Sequence, residues 1–209
     1  RDCAPMKTGS GKLHRQSENQ RDRTRKALAE IGQCLLAEGA CAFRVIDAHD
    51  IVVDERVRLK CQIPRCDSFG RNLMCPPHVP SVASFREAIA RFSRALLIQV
   101  SAPLAGDPEN RPAAEIFAAA GKLHDLVNRS EKQAFEKGFR FATGLIGGCC
   151  RLCETCIAVE AGQACRYPFK ARPSMEAMGI GVVATTEKAG LPTAFPITGP
   201  ITWTGAILV

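Results

Sequence analysis

The sequence predicts a mixed α/β fold, in which helices pack on a small, partly parallel sheet and two cysteine-bearing loops are inserted. Three observations predict this class: long segments with apolar residues at helical spacing, short apolar runs between them, and two segments dense in proline and cysteine. The 209 residues, 46% of them hydrophobic, are enough for one domain whose core needs no disulfide. We expect this domain to span residues 17–209, after a disordered tail over residues 1–16 that holds glycine, serine and scattered charges.

The first predicted helix covers residues 17–38. Ser17 is a suitable N-cap, apolar residues follow at intervals of three or four, and Gly39 stands where a C-terminal cap belongs. The segment 42–47 then reads AFRVID, which is typical of a strand. Residues 50–60 show no consistent period, so no element is assigned to them.

A βαβ crossover is predicted in the middle of the chain. A helix over 81–92 leads to the apolar run 95–101, which is typical of a buried strand. A long amphipathic helix over 113–137 and a strand over 140–146 follow. Two strands joined by one helix normally run parallel, and this connection is the basis for the partly parallel sheet.

The C-terminal part is predicted to hold two short helical segments and a last strand. Ser174 can cap a helix that Gly179 interrupts, and residues 181–189 continue with helical character. The run 203–209 is typical of a strand. This strand completes the predicted sheet.

Charge and targeting signals point to a cytoplasmic protein with no nucleic-acid partner. The net charge is +7, and a dense basic run lies at 21–26. That run has no aromatic residues among its charges and belongs to no recognisable binding module, so a solvated helix face is the simpler interpretation. We see neither a secretory signal nor the roughly 18 consecutive apolar residues of a membrane span. In the cytoplasm the cysteines stay reduced, which favours metal binding over disulfides.

Seven of the eleven cysteines fall into two groups, and each group is followed by proline. The first group is Cys61-x4-Cys66-x8-Cys75-Pro76-Pro77, and the second group is Cys150-x2-Cys153-x2-Cys156-x8-Cys165-x2-Pro168. Thiolates at such spacings can converge on one metal centre, and they are the ligands that iron–sulfur clusters and zinc prefer. The sequence therefore predicts that these seven cysteines bind metal.

The second group favours an iron–sulfur cluster over zinc. Three cysteines in successive x2 spacing match the core of the bacterial ferredoxin run, and Cys165 is inferred as the fourth ligand. Zinc remains the alternative, because Cys-x2-Cys is also a zinc-binding element. Three basic residues, Arg151, Arg166 and Arg172, lie around this group and are predicted to stabilise an anionic 4Fe–4S cluster. The competing interpretation is that they are exposed arginines beside a loop.

The first group offers three thiolates, which leaves two interpretations open. It holds a second cluster with one iron open to a substrate or to another residue such as His78, or it shares a centre with the second group or is merely structural. Cys149 precedes Cys150, and two adjacent side chains do not easily point the same way. The x2 register selects Cys150 as a ligand, so Cys149 is assigned to packing or to the surroundings of the ligands.

Several motifs in the same order resemble an uncharacterised family of predicted metal-binding proteins, found largely in anaerobic bacteria and archaea. These motifs are Lys60-Cys61, Met74-Cys75-Pro76-Pro77, Cys150-Arg151-Leu152-Cys153-Glu154 and Ala171-Arg172-Pro173-Ser174-Met175. The resemblance covers about residues 42–209. It implies a metal or iron–sulfur site on the seven cysteines named above, and it implies no particular reaction.

Three functions are compatible with these observations. The first is an iron–sulfur protein, with one or two 4Fe–4S clusters, that transfers electrons to a redox partner protein or assists a partner enzyme. The second is an enzyme whose three-cysteine cluster has an open iron for a small-molecule substrate, and the third is a zinc-stabilised interaction module. No nucleotide fingerprint or Ser/His/Asp signature is recognisable, so whether the protein is an enzyme stays open.

Overall fold

The computed structural model describes residues 10–102, 113–159, 162–191, 193 and 200–209. Five helices and four strands lie in these ranges: α1 Ser10–Ala37, β1 Ala42–Asp47, α2 Glu55–Gln62, α3 Val82–Ile89, β2 Arg94–Ala102, α4 Ala113–Glu136, β3 Thr143–Leu145, α5 Val182–Lys188 and β4 Ile201–Leu208. Short 3₁₀ turns occur at Ala48–Asp50, Ile157–Val159 and Glu176–Met178. Within the described ranges, no helix combines the length and the apolar character that a bilayer crossing requires.

The four strands form one sheet in the order β1-β2-β4-β3, and every neighbouring pair is antiparallel. The mixed α+β class is confirmed, whereas the prediction of partly parallel pairing is wrong. β2 and β3 do run in the same direction, because both are antiparallel to β4, but β4 lies between them. The rule for two strands joined by one helix correctly predicted that β2 and β3 run in the same direction. It could not show that β4, which comes later in the chain, would lie between them.

The sheet is covered on both faces. Leu96 and Ile98 of β2 belong to a core cluster with apolar residues of α1 and α4, whereas Ala95 and Leu97 belong to a second cluster with α3 and the turn at 176–178. Successive strand residues point to opposite faces, so a strand that is buried on both sides needs apolar residues on both of them. This explains the nearly continuous apolar run in β2, which the buried Gln99 interrupts.

Most predicted elements agree with the structure to within a few residues. β1 has the predicted bounds, and α1 begins at Ser10 rather than at Ser17. Ser81 caps α3 as predicted, with its Oγ accepting a hydrogen bond from the Ser84 amide at 3.1 Å. Residues 1–9 of the predicted tail lie outside the described residues.

The helix α2 was not predicted. Asp54 caps it by accepting the Arg56 amide at 2.8 Å, and the Arg56 side chain holds the pKa of this carboxyl near 2. None of the eight residues of α2, all of which the structure describes, is buried. An exposed helix has no apolar period, so the pattern that identifies other helices is missing here. Cys61 lies in the last turn of α2.

Candidate metal centre

The four cysteines of the second group meet at one small cavity. Cys150, Cys153, Cys156 and Cys165 line it. Burial raises the pKa of the Cys150 thiol, and the other three thiolates raise it further. Four soft donors around one space are a ligand set for a metal centre.

The opposite wall of this cavity comes from the loop of the first group, residues 72–74. The Leu73 amide lies 3.5 Å from Cys156 Sγ, and the Tyr167 amide lies 3.4 Å from Cys165 Sγ. Both N–H groups donate to sulfur, which stabilises the negative charge of a thiolate. The two loops therefore build the second-group site together.

A glycine pair brings the chain from β3 to the cysteines. Ile146 is bridged to the segment 173–175 through its amide, which donates to Pro173 O at 3.0 Å, and its carbonyl, which accepts from the Met175 amide at 2.8 Å. A Cβ atom at Gly148 would lie 2.8 Å from Trp203 Cζ3, and the φ of Gly148 is +72°. Both the close approach and the left-handed backbone require glycine before Cys149.

The far end of the second loop is fixed to α4. His124 Nε2 lies 2.7 Å from Lys170 O, and Asn128 Nδ2 donates to the same carbonyl at 3.1 Å. Arg172 forms a two-pronged ion pair with Glu131, at 2.7 and 2.8 Å. These contacts position the segment that follows Cys165.

The first group gathers around Cys75, which is its most buried member. Burial raises the pKa of the Cys75 thiol to about 12. Neighbouring thiolates contribute to this rise in the order Cys149, Cys66, Cys61 and Cys150. Cys149, which the sequence had assigned to packing or to the surroundings of the ligands, is thus among the thiols that act on Cys75.

Asn72 joins the two groups, and sequence reasoning missed it. Its side chain donates to Cys150 O at 2.8 Å and accepts from the Met74 amide at 3.0 Å, while its carbonyl accepts from the Cys75 amide at 3.0 Å. Asn72 is buried, so these contacts are shielded from water. An asparagine in a loop rich in glycine and proline gives no signal of such a role.

The predicted basic residues contact protein groups beside the second group. Arg151 lies over the Phe117 ring at 3.6 Å, and Arg166 donates to Thr155 O at 2.9 Å. The charge of Arg172 is paired with Glu131. His78 is exposed, with its Nε2 3.5 Å from Gly70 O. The role of the three arginines toward a cofactor stays a prediction.

The spacing of the sulfurs bears on the metal they can hold. Among the described residues, one set of three His, Cys, Asp or Glu has all its ligand atoms within 4.8 Å of one another, and that set is Asp47, His49 and Asp50. Neither cysteine group contains such a set. A tetrahedral zinc ion with Zn–S bonds of about 2.3 Å needs sulfurs only about 3.8 Å apart. The ligands of a cuboidal cluster stand on separate irons and so lie further apart.

A cavity of about 770 Å³ lies beside the first group. Its lining includes Lys60, Glu176, Ile180 and Trp203. Burial raises the pKa of Glu176, whose Oε2 accepts a hydrogen bond from the Gly148 amide at 3.3 Å. Burial raises the pKa of the Cys61 thiol, and Cys66 and Glu176 raise it further. Lys60, which directly precedes Cys61, lines the cavity, so the cavity wall adjoins the first group.

Comparisons with known proteins give a family and no closer relative. No curated protein and no solved structure matches the chain. One family model, described as "Predicted metal-binding protein (DUF2284)", matches residues 44–209, a range that contains both cysteine groups and Cys149. The chain therefore belongs to this family of predicted metal-binding proteins.

Proposed function

We propose that the protein is an iron–sulfur protein that transfers electrons, and that Cys150, Cys153, Cys156 and Cys165 bind a 4Fe–4S cluster. The observation that carries this proposal is the convergence of these four thiolates on one cavity. The successive x2 spacing fits a cluster better than a single zinc ion, and so does the observation that no three of these four sulfurs lie within 4.8 Å of one another. Such a cluster supplies reversible one-electron transfer when it is bound.

The residues around this group affect the reduction potential of the bound cluster. The amides of Leu73 and Tyr167 donate to ligand sulfurs, and Arg151 and Arg166 add positive charge nearby. Both effects favour the more negative, reduced form and so raise the reduction potential.

The segment after Cys165 provides a surface for a redox partner protein. Phe169 is 91% exposed and Tyr167 is 43% exposed, and Arg166 and Lys170 are exposed beside them. Aromatic and basic side chains together suit an acidic partner, because the charges guide the encounter and the rings supply contact area. Electrons would enter or leave at this loop.

Metal analysis of protein purified without air tests the proposal. We expect iron and acid-labile sulfide in equal amounts, and an electron paramagnetic resonance (EPR) signal that appears on dithionite reduction. Cys156→Ala should lose about four irons, the content of one cluster, while the control Cys34→Ala, on α1, should lose none. A colourless protein that contains zinc would instead support the zinc-stabilised interaction module.

The 770 Å³ cavity favours a second candidate function, an enzyme that acts on a small molecule. Its volume lies in the range of ligand sites, and Lys60 and Glu176 are among the charged and polar side chains that interrupt the apolar lining. A substrate bound there would lie beside the first cysteine group.

Trp203 is the sole tryptophan of the chain and lines this cavity, so its fluorescence reports binding directly. In the experiment, a fragment library is added to the iron-loaded protein and to its Val183→Phe variant, in which the larger side chain narrows the cavity, and the fluorescence of Trp203 is recorded. Fragments that shift the emission of the wild type and not of the variant would support the enzyme. A library without effect on either protein would contradict it.

A further inference from the structure

We propose that Cys149 is the fourth thiolate ligand of the first group, which then binds a second 4Fe–4S cluster with no open iron. The inference rests on the proposed iron–sulfur function and deepens it. It assigns a ligand that the sequence pattern does not show, and it replaces the open-iron interpretation of Cys61, Cys66 and Cys75.

The first step is the direction of the Cys149 side chain. Cys150 lines the second-group cavity, and Cys149, which the structure also describes, is not among the lining residues. The backbone is held on both sides of Cys149, since the Gly148 amide donates to Glu176 Oε2 and Cys150 O accepts from Asn72. Adjacent side chains in such a segment diverge, so Cys149 faces away from the second cavity.

The second step is what lies on that other side. Arg58 of α2 donates to Ala177 O at 2.7 Å and so packs α2 against the turn that carries Glu176. The helix α2, whose last turn carries Cys61, therefore lies against the turn whose Glu176 accepts a hydrogen bond from the Gly148 amide. The loop that carries Cys75 is fixed to Cys150 O through Asn72. Both arms of the first group thus converge on the segment 148–150.

Electrostatics supports the same grouping. Of the thiolates that raise the pKa of Cys75, Cys149 has the largest effect, ahead of Cys66 and Cys61, which belong to the same loop region as Cys75. Like charges act on each other more strongly the closer they lie. This order agrees with the grouping that the backbone contacts indicate.

The other described candidates for a fourth ligand lie elsewhere. The His78 ring is exposed and contacts Gly70 O. Cys41 Sγ lies 3.2 Å from Ser101 Oγ at the β1–β2 edge of the sheet, which β4 separates from β3 and the segment that follows it, and Cys34 is exposed on α1. With Cys149 assigned, eight cysteines form two complete sets of four.

Consecutive ligands bring the two clusters very near each other. The Cα atoms of Cys149 and Cys150 are joined by one peptide bond and are thus about 3.8 Å apart. Electrons can exchange quickly over so short a path, and the spins of two reduced clusters must couple. The chain then holds a relay from the exposed loop around Tyr167 to the first group, whose Cys75 is buried, beside the 770 Å³ cavity.

The test compares Cys149→Ala with Cys41→Ala, after anaerobic reconstitution with iron and sulfide. We expect about eight irons in the wild type and in Cys41→Ala, by the stoichiometry of two four-iron clusters. Cys149→Ala should retain the second-group cluster alone, or that cluster with a three-iron remnant that gives its own EPR signal in the oxidised protein. The spin coupling seen in the reduced wild type should be absent from the variant.

Three results would decide against this assignment. The assignment would be overturned if Cys149→Ala held eight irons with unchanged spin coupling. It would also be overturned if the wild type took up only about four irons, but in that case the proposed electron transfer would still stand. A wild type without iron would overturn both proposals. If Cys149→Ala does not fold, Cys149→Ser replaces it, because a serine oxygen on one iron must alter one cluster's spectrum, and an unaltered spectrum refutes the proposal.

Discussion

The two cysteine groups differ in how the chain assembles them. The second group takes all four thiolates from one stretch of sixteen residues, 150–165, whose far end is fixed to α4. The first group takes Cys61 from the end of α2, Cys66 and Cys75 from the following loop, and its neighbour Cys149 from the other group's loop. The first set therefore depends on tertiary structure, whereas the second depends mainly on sequence spacing.

This difference also sets the surroundings of each group. Cys75 is buried, and the first group lies beside an internal cavity. The second group adjoins the exposed side chains of Tyr167 and Phe169. Under the proposed function, the second group would meet a protein partner, and the first group would meet a small molecule or store an electron.

Removal of the metal should have the largest effect on local stability, and the effect should differ between the cysteine loops and the core. We expect amide hydrogen exchange around Cys66 and Cys153 to accelerate by about 100-fold or more, which corresponds to about 3 kcal/mol of local stability. Exchange in β2 and α4 should change little, because their core is built mainly from apolar side chains, and Cys150 packs only at its margin. Uniform acceleration across loops and core would show that the metal sites and the core unfold as one unit.

Asn72→Ala should disturb both groups at once, because this side chain joins them. The loss of two buried side-chain hydrogen bonds is expected to cost about 1–3 kcal/mol in the free energy of unfolding, and iron content should fall in both sets. The matched control is Asn128→Ala, which removes one bond to Lys170 O at a half-buried position and should leave the first set loaded. Iron loss confined to one set would show that the two loops are held independently.

Gly148→Ala tests the path by which Cys149 reaches the first group. An added Cβ would meet Trp203 at 2.8 Å and would require a positive φ of +72°, so we expect a loss of about 1–3 kcal/mol. Gly162→Ala is the control, since its φ is +79° but nothing lies within 4 Å of an added Cβ. Denaturant unfolding of the two variants should show the larger loss at Gly148, and equal losses would assign the whole cost to backbone conformation.

The smallest expected effect is a pH dependence that arises at His124. Burial lowers the pKa of this imidazole below its ordinary 6.5, so the unfolded chain binds the proton more readily than the folded one. Stability should therefore fall as the pH drops through about 6.5 toward the lower folded value. In His124→Gln this part of the pH dependence should disappear from thermal unfolding curves, and an unchanged slope would contradict the assignment.

Local patterns in the sequence predicted a large part of this molecule. β1, α3 and α4 were found from period and capping, and the x2 spacing identified the four cysteines that line one cavity. These features depend on residues that are close together in the sequence, so they can be recognised from the sequence alone.

The remainder depends on contacts between distant segments. The position of β4 between β2 and β3 and the junction made by Asn72 both join residues far apart in sequence, and so does the proposed grouping of Cys149 with Cys75. The divergence of adjacent side chains did indicate that Cys149 faces away from Cys150. What it faces could be learned only from the fold.

Quantifying iron and inorganic sulfide in the anaerobically isolated, unmodified protein tests the central claim most directly. Two complete four-thiolate sets predict about eight of each per chain, with the iron in cuboidal clusters and little zinc. A chain that binds one or two zinc ions and no sulfide would contradict the account.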